Sequence, residues 1–207
     1  MPQTPPPVPM RERTRRLAQT ELTRVAQDLF LENGYEETTI DQIAAAAGMS
    51  RRTFFRYFAS KDDLVIGKYE LFGQRMADTL RGRPADEPLW HSLRRVFDIA
   101  LVYFDDSPER ARNEAMEKIV RSSPTLYAGY LEKLSRMQSL VTEAAIDRMP
   151  ASHPDGLTAL RASSIVGAAF ACVMAAQSAW LASAGSRPAA ELLDLAMHEV
   201  EALADPT

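Results

Sequence analysis

The sequence predicts an all-α fold in two parts: a small N-terminal three-helix domain with tight glycine turns, then a larger C-terminal helical domain, about nine helices in total. Three observations carry this. Apolar residues recur at helical spacing along almost the whole chain, and no stretch shows convincing strand alternation. Gly34 and Gly48 each close a periodic stretch and are soon followed by a hydroxyl residue suited to start the next helix. Residues 51–58 interleave arginine with aromatic residues over two turns.

The elements follow in order. Residues 1–9 contain five prolines, which predicts an extended, disordered tail over 1–10, with Met10 as an alternative start. From Arg11 to Asn33, Leu22, Val25, Ala26, Leu29 and Phe30 fall on one helical face, and Gly34 ends the helix. Thr39 reads as an N-cap, with Gln42 completing a capping box, for a short helix to Ala47. After Gly48, Ser50 caps the segment Arg51–Phe58. Ser60 caps a further helix to about Leu80, with Asp62 and Asp63 in the first turn, where the helix dipole favours carboxylates. Gly82 to Pro88 breaks the chain. The expected organisation is a tail over 1–10, a compact domain over 11–59, a connecting helix over 60–82 and a second helical domain over 83–207. In the latter, helices are expected at about 88–105, 108–122, 124–149, 157–184 and 189–204, with a loop at 150–156.

Composition narrows the function. Cys172 is the single cysteine, so an internal disulfide and a cysteine zinc site are both excluded. His91, His153 and His198 are scattered, and no glycine loop suited to phosphate or metal-ligand spacing is present, so neither an enzyme, a cofactor nor a metal is expected. No secretory signal opens the chain, and a cytoplasmic location is expected. The net charge of −4 argues mildly against a nucleic-acid binder. Its distribution softens that objection: residues 1–82 carry +1 and residues 83–207 carry −5. The N-terminal arginines are bunched at 11–16 and 51–56, and the local field governs phosphate neutralisation.

A helix as short as Arg51–Phe58 is unstable alone. Phe54 and Phe58 would anchor one face on Leu29, Phe30, Ile40, Ile43, Ala44 and Ala47, turning Arg51, Arg52, Thr53 and Arg56 outward. Arginine chelates guanine O6/N7, and the threonine methyl can touch a thymine methyl. This is the chemistry of a helix-turn-helix whose second helix enters the DNA major groove. Thr38, Thr39, Ser50, Tyr57 and Lys61 are expected to meet phosphates, which position without reading sequence. Arg11, Arg13, Arg15 and Arg16 could lie along the DNA backbone or reach into a minor groove. The alternative is an adaptor whose arginine helix binds an acidic protein.

The stretch Thr39-Ile40-Asp41-Gln42-Ile43-Ala44 to Gly48-Met49-Ser50, then Thr53-Phe54-Phe55-Arg56-Tyr57-Phe58 and Ser60-Lys61-Asp62-Asp63-Leu64, resembles the DNA-binding domain of the TetR family of transcriptional regulators. By that resemblance Arg51, Arg52, Thr53 and Arg56 occupy base-facing positions, and Thr39, Tyr57 and Lys61 occupy phosphate-contacting ones. Phe55 stands where the family commonly has a tyrosine, so one phosphate contact is lost. Ala59 replaces a common proline or glycine. The resemblance implies a homodimer, most often a repressor, that binds a near-palindromic double-stranded operator and is released by a small effector.

The sequence supports part of this independently. Residues 162–186 carry no charge over 25 positions. A membrane span is one reading. The serines, Gln177 and the dominance of Ala and Gly favour a helix buried on two sides, one against its own domain and one against a twin. Gly167, Ala168, Ala171, Ala175 and Ala179, with Leu192, Leu193, Ala196 and Val200 of the last helix, are the expected dimer surface. Phe97, Leu101, Phe104, Tyr130, Leu134, Met137, Phe170, Met174, Gln177 and Trp180 are the candidate pocket for a largely apolar or amphipathic effector. Arg112-Asn113-Glu114, Pro124-Thr125-Leu126 and Tyr130-Leu131-Glu132-Lys133 resemble an actinobacterial subgroup, some of whose members respond to fatty acyl-CoA.

Overall fold

The computed structural model describes residues 10–105, 109–149, 156–183 and 186–204. Residues 1–9 of the predicted tail, most of the 150–156 loop and Pro108 lie outside the described residues, as do the side chains of Arg16 and Phe104, while Met10, expected in the tail, opens the first helix. The described chain is helical throughout, in two compact units that meet in sequence at Gly67 and Lys68.

The first unit holds α1 (Met10–Asn33), α2 (Ile40–Ala46), α3 (Arg51–Phe54) and α4 (Lys61–Ile66). The starts of α2, α3 and α4 are capped as the hydroxyl pattern predicts. Thr39 Oγ1 accepts from the Gln42 amide at 3.2 Å, and the Gln42 side chain accepts from the Thr39 amide at 2.8 Å. Ser50 and Ser60 accept from the Thr53 and Asp63 amides, both at 3.1 Å. The turn from α2 to α3 passes through Gly48 at φ +65°, a left-handed conformation that side chains with a Cβ resist. The core is Leu22, Ala26, Phe30, Ile43, Phe54 and the Leu64–Ile66 run, all buried.

The second unit holds α5 (Lys68–Arg81), α6 (Leu89–Val96), α7 (Asp98–Asp105), α8 (Arg110–Ser122), α9 (Pro124–Arg148), α10 (Thr158–Ala182) and α11 (Ala189–Ala204). Its core runs through Met76, Leu80, Leu93, Phe97, Met116, Leu126, Val141, Phe170 and Trp180. Arg148 ties the end of α9 to the α5–α6 loop by donating to the carbonyls of Leu80, Arg83, Pro84 and Glu87.

Two expected helices are interrupted, which accounts for the eleven described segments against the nine expected. The helix from Ser60 to Leu80 breaks at Gly67, where a Cβ would stand 2.3 Å from the Asp63 carbonyl oxygen. The compact units divide at this break, upstream of the Gly82–Pro88 segment that composition had marked. The helix over 88–105 is interrupted at Phe97, whose amide still bonds the Leu93 carbonyl at 3.1 Å.

α10 is long and apolar enough to cross a membrane by length and composition. One of its faces, with Ala162, Val166, Ala169, Phe170, Ala176 and Trp180, is buried within the second unit, and Gln177 on that face is hydrogen-bonded to protein side chains.

Candidate nucleic-acid interface

α3 is a single turn. Its backbone continues through Phe58 by tight bonds, with the Arg56 amide donating to the Thr53 carbonyl at 3.2 Å and the Tyr57 and Phe58 amides to Phe54 at 2.9 and 3.1 Å. Phe54 is fully buried and anchors the segment. Phe58, expected to be an equal anchor, is only half-buried, with its ring 6.0 Å from that of Phe54. Gln19 of α1 holds the Tyr57 carbonyl at 3.3 Å, a second tie from segment to scaffold.

Anchoring by Phe54 leaves Arg51, Arg52 and Arg56 exposed and Thr53 half-buried. Arg51 donates through Nη1 to Asp41 Oδ2 at 2.8 Å, and its guanidinium lies 5.6 Å from the Phe55 ring centroid. Phe55 is exposed and meets Phe54 edge-on at 5.4 Å. Arg56 donates to the Tyr57 hydroxyl at 2.9 Å and lies over that ring. The hydroxyls of Ser50 and Thr53 are 2.9 Å apart. Arg11, Arg13 and Arg15 are exposed and helical, on the first turns of α1. Arg16 is also within α1, and Arg11 and Arg15, four residues apart, share one helical face.

Two expected phosphate ligands are otherwise occupied. Thr38 is buried, and its hydroxyl donates to the Gly34 carbonyl at 2.7 Å, stapling the α1–α2 turn. The Lys61 ammonium donates to the carbonyls of Tyr35 at 2.7 Å and Thr38 at 3.1 Å, and lies 4.2 Å from the Tyr35 ring centroid. Both bonds have one cause: the α1–α2 turn leaves carbonyls that need donors, and these two side chains supply them. The Tyr35 hydroxyl is bonded to Asp62, and burial followed by that carboxylate pushes the phenol well above its ordinary range. Thr39 and Tyr57 keep their side chains at the surface or half-exposed.

In the second unit the candidate pocket residues Phe97, Leu101, Phe170, Tyr130 and Gln177 are brought together. Phe97, Leu101 and Gln177 line a cavity of about 20 Å³ with Ala100, Val173, Ala176, Ala189 and Leu193. That is room for about one water molecule. Phe170 meets Phe97 edge-on at 5.3 Å, while Leu134, Tyr130 and Trp180 are buried and Met174 is half-buried. Met137 packs on Gly73 of α5, where a Cβ would stand 2.9 Å from its Cγ.

Sequence reasoning missed a buried polar network here. The Glu117 carboxylate, almost fully buried, accepts from the Tyr69 hydroxyl at 2.6 Å, the Gln177 amide at 2.8 Å and the Lys68 ammonium at 3.3 Å. The Gln177 carbonyl accepts from Tyr130 and Arg121, both at 3.2 Å. Burial, then the Glu117 charge, pushes the Tyr130 phenol up to about 12. Burial pushes Lys68 down, opposed by Glu117. A signal existed: Asn113, Met116, Glu117 and Val120 share one helical stripe, an acid on a buried face.

Of the expected dimer surface, Ala171, Ala175 and Ala179 are exposed on the face of α10 opposite its buried stripe, and Gly167, Ala168, Ala196 and Val200 are half-buried. Leu192 and Leu193 are corrected to core, since α11 turns them inward against the second unit.

Comparison with known proteins agrees with this geometry. Residues 22–66 match the model for bacterial regulatory proteins of the tetR family, and residues 87–204 match the MftR C-terminal domain, more than half of the chain. The chain is 34% identical over 133 residues to the HTH-type transcriptional regulator TcmR of Streptomyces glaucescens, covering 62% of this chain and 59% of that one. It is 30% identical over 122 residues to MftR of Mycobacterium tuberculosis, covering 56% of this chain and 61% of that one. The matches thus span about three-fifths of the length of these relatives. Among solved structures, NalD, the secondary repressor of the MexAB-OprM multidrug efflux pump in Pseudomonas aeruginosa, shares the fold at a TM-score of 0.56 and 22% identity, covering 89% of this chain and 95% of that one. These relatives are regulators, not enzymes, and the chain belongs to the TetR family of bacterial regulatory proteins.

Proposed function

We propose that this protein is a ligand-responsive transcriptional repressor that binds a near-palindromic operator as a homodimer and is released by a small, largely apolar effector. The observation that carries it is the division of the Arg51–Phe58 segment. Phe54 is fully buried, while Arg51, Arg52 and Arg56 are exposed. A surface helix built this way offers guanidinium forks to guanine edges. Dimerisation is assigned to the exposed, uncharged face of α10 with Ala171, Ala175 and Ala179, whose small side chains permit close approach. Two copies would present two α3 segments to half-sites one or more helical turns apart.

The effector site is assigned to the region around Gln177, where the small cavity adjoins the Glu117 network. The described state is closed, so an effector must select a more open state, and it shifts the equilibrium only by its differential affinity. Amphipathic compounds, fatty acyl-CoA among them, suit an apolar wall with a polar end. The reading places the protein in the cytoplasm, beside its operator. The test is in vitro selection from random duplexes with the purified chain, followed by release of the selected duplex in an effector screen. An enriched palindrome is expected. A set of bound sequences with no shared motif would contradict the proposal.

A further inference from the structure

The geometry points to Asp41 as a specificity-determining positioning residue that holds Arg51 in a guanine-reading pose. The inference rests on the reading of α3 as the base-reading helix. Asp41 lies in the first turn of α2, where a carboxylate is ordinarily explained by the helix dipole. Its side chain does more than that here. Asp41 Oδ2 accepts from Arg51 Nη1 at 2.8 Å across the α2–α3 turn, ten residues on. Phe55 bounds the same guanidinium, its ring centroid 5.6 Å away. Arg51 is thus restrained from two directions while remaining exposed.

The contact uses one corner of the guanidinium. Among the described residues Nε and Nη2 donate to no protein atom, so a two-pronged donor edge stays open. That edge matches the paired acceptors O6 and N7 of guanine. A pre-positioned fork loses less side-chain freedom on binding than a free one. The carboxylate also has the sign of the phosphates. If Arg51 swung away to a phosphate, Asp41 would be left unpaired beside DNA, which disfavours sequence-independent contacts. Asp41 therefore acts through Arg51, raising the preference for guanine at one position while slightly opposing binding to DNA in general.

The test uses the full chain and the duplex enriched by in vitro selection. Binding to it, to its single-base variants and to a random duplex is compared for wild type, Asp41→Asn, Arg51→Ala and the double variant, with circular dichroism confirming unchanged helix content. Asp41→Asn should lower the preference for guanine at the position read by Arg51 by about two- to fivefold, the range an exposed ion pair supplies. It should leave other positions alone, leave affinity for the random duplex unchanged or raised, and have no effect in the Arg51→Ala background. An unchanged preference, a uniform loss at every position, or an effect that survives in the Arg51→Ala background would overturn the inference. Should Arg51→Ala itself alter no base preference, or no duplex be enriched, the reading of α3 fails and this inference with it.

Discussion

The Lys61 ammonium lies 4.2 Å from the Tyr35 ring centroid and donates to the Tyr35 carbonyl at 2.7 Å. With the further bond to Thr38 it closes the α1–α2 turn from the start of α4. Lys61 is therefore a stabilising residue of the DNA-free protein. Lys61→Met should cost the first unit about 2 kcal/mol, the range for a hydrogen-bonded charge. Urea unfolding without DNA checks this; an unchanged midpoint and slope would return Lys61 to a purely phosphate-contacting role.

Thr38 and Thr39 are adjacent but differ in duty. Thr38 is buried with its hydroxyl on the Gly34 carbonyl, so Thr38→Val should cost about 1–2 kcal/mol by orphaning that acceptor. Thr39→Ala removes an exposed N-cap, with a cost of about 1 kcal/mol. Only Thr39→Ala should also weaken DNA binding, by a similar factor for every sequence, because only its side chain stands where a phosphate can reach. Equal DNA affinities for Thr39→Ala and wild type would remove Thr39 from the phosphate contacts.

The Glu117 network is an interdependent unit. Glu117→Ala should destabilise the second unit by about 3–5 kcal/mol, as expected when one partner of a buried ion pair is removed. In a Lys68→Met background the loss should shrink by more than about 0.5 kcal/mol, the signature of direct coupling. Additive losses in the double-mutant cycle would show that the pair does not interact.

Glu87 sets an acid limb. Its carboxyl is held at about 2 by hydrogen bonds from Arg83 and then Ser92, against an ordinary value of 4.5. The folded state binds this proton less readily than the unfolded one. The stabilisation is therefore full above pH 4.5 and is lost as pH falls from 4.5 towards 2. Glu87→Gln should lower the stability of the second unit near neutrality and converge on wild type as pH falls towards 2, flattening the profile in that window. An unaltered acid limb would mean the carboxylate gains nothing from Arg83 and Ser92.

The capped starts and the outward-facing arginines were legible because they depend on local chemistry. Thr39, Ser50 and Ser60 cap within three residues of themselves, and Phe54 fixes which way Arg51 and Arg52 point. Features set by tertiary partners were not. Nothing near Lys61 in sequence announces carbonyls 23 and 26 residues away. The helix over 60–80 reads as continuous because periodicity carries through Gly67, and only the close approach of Asp63 shows the break. Leu192 and Leu193 look alike whether a helix faces its own core or a twin. Asp41 reads as a helix-dipole acid, and its contact with Arg51 appears only when the α2–α3 turn brings them together.

The central claim, that the outward face of the Arg51–Phe58 segment reads base sequence, is tested most directly by position-resolved base preferences of wild type, Arg51→Ala, Arg52→Ala and Arg56→Ala on the selected duplex at fixed salt. Relaxation confined to particular positions, worth about 1–3 kcal/mol for each arginine that chelates a guanine, is the predicted result. A uniform loss of affinity from all three variants, with every base preference intact, would contradict it.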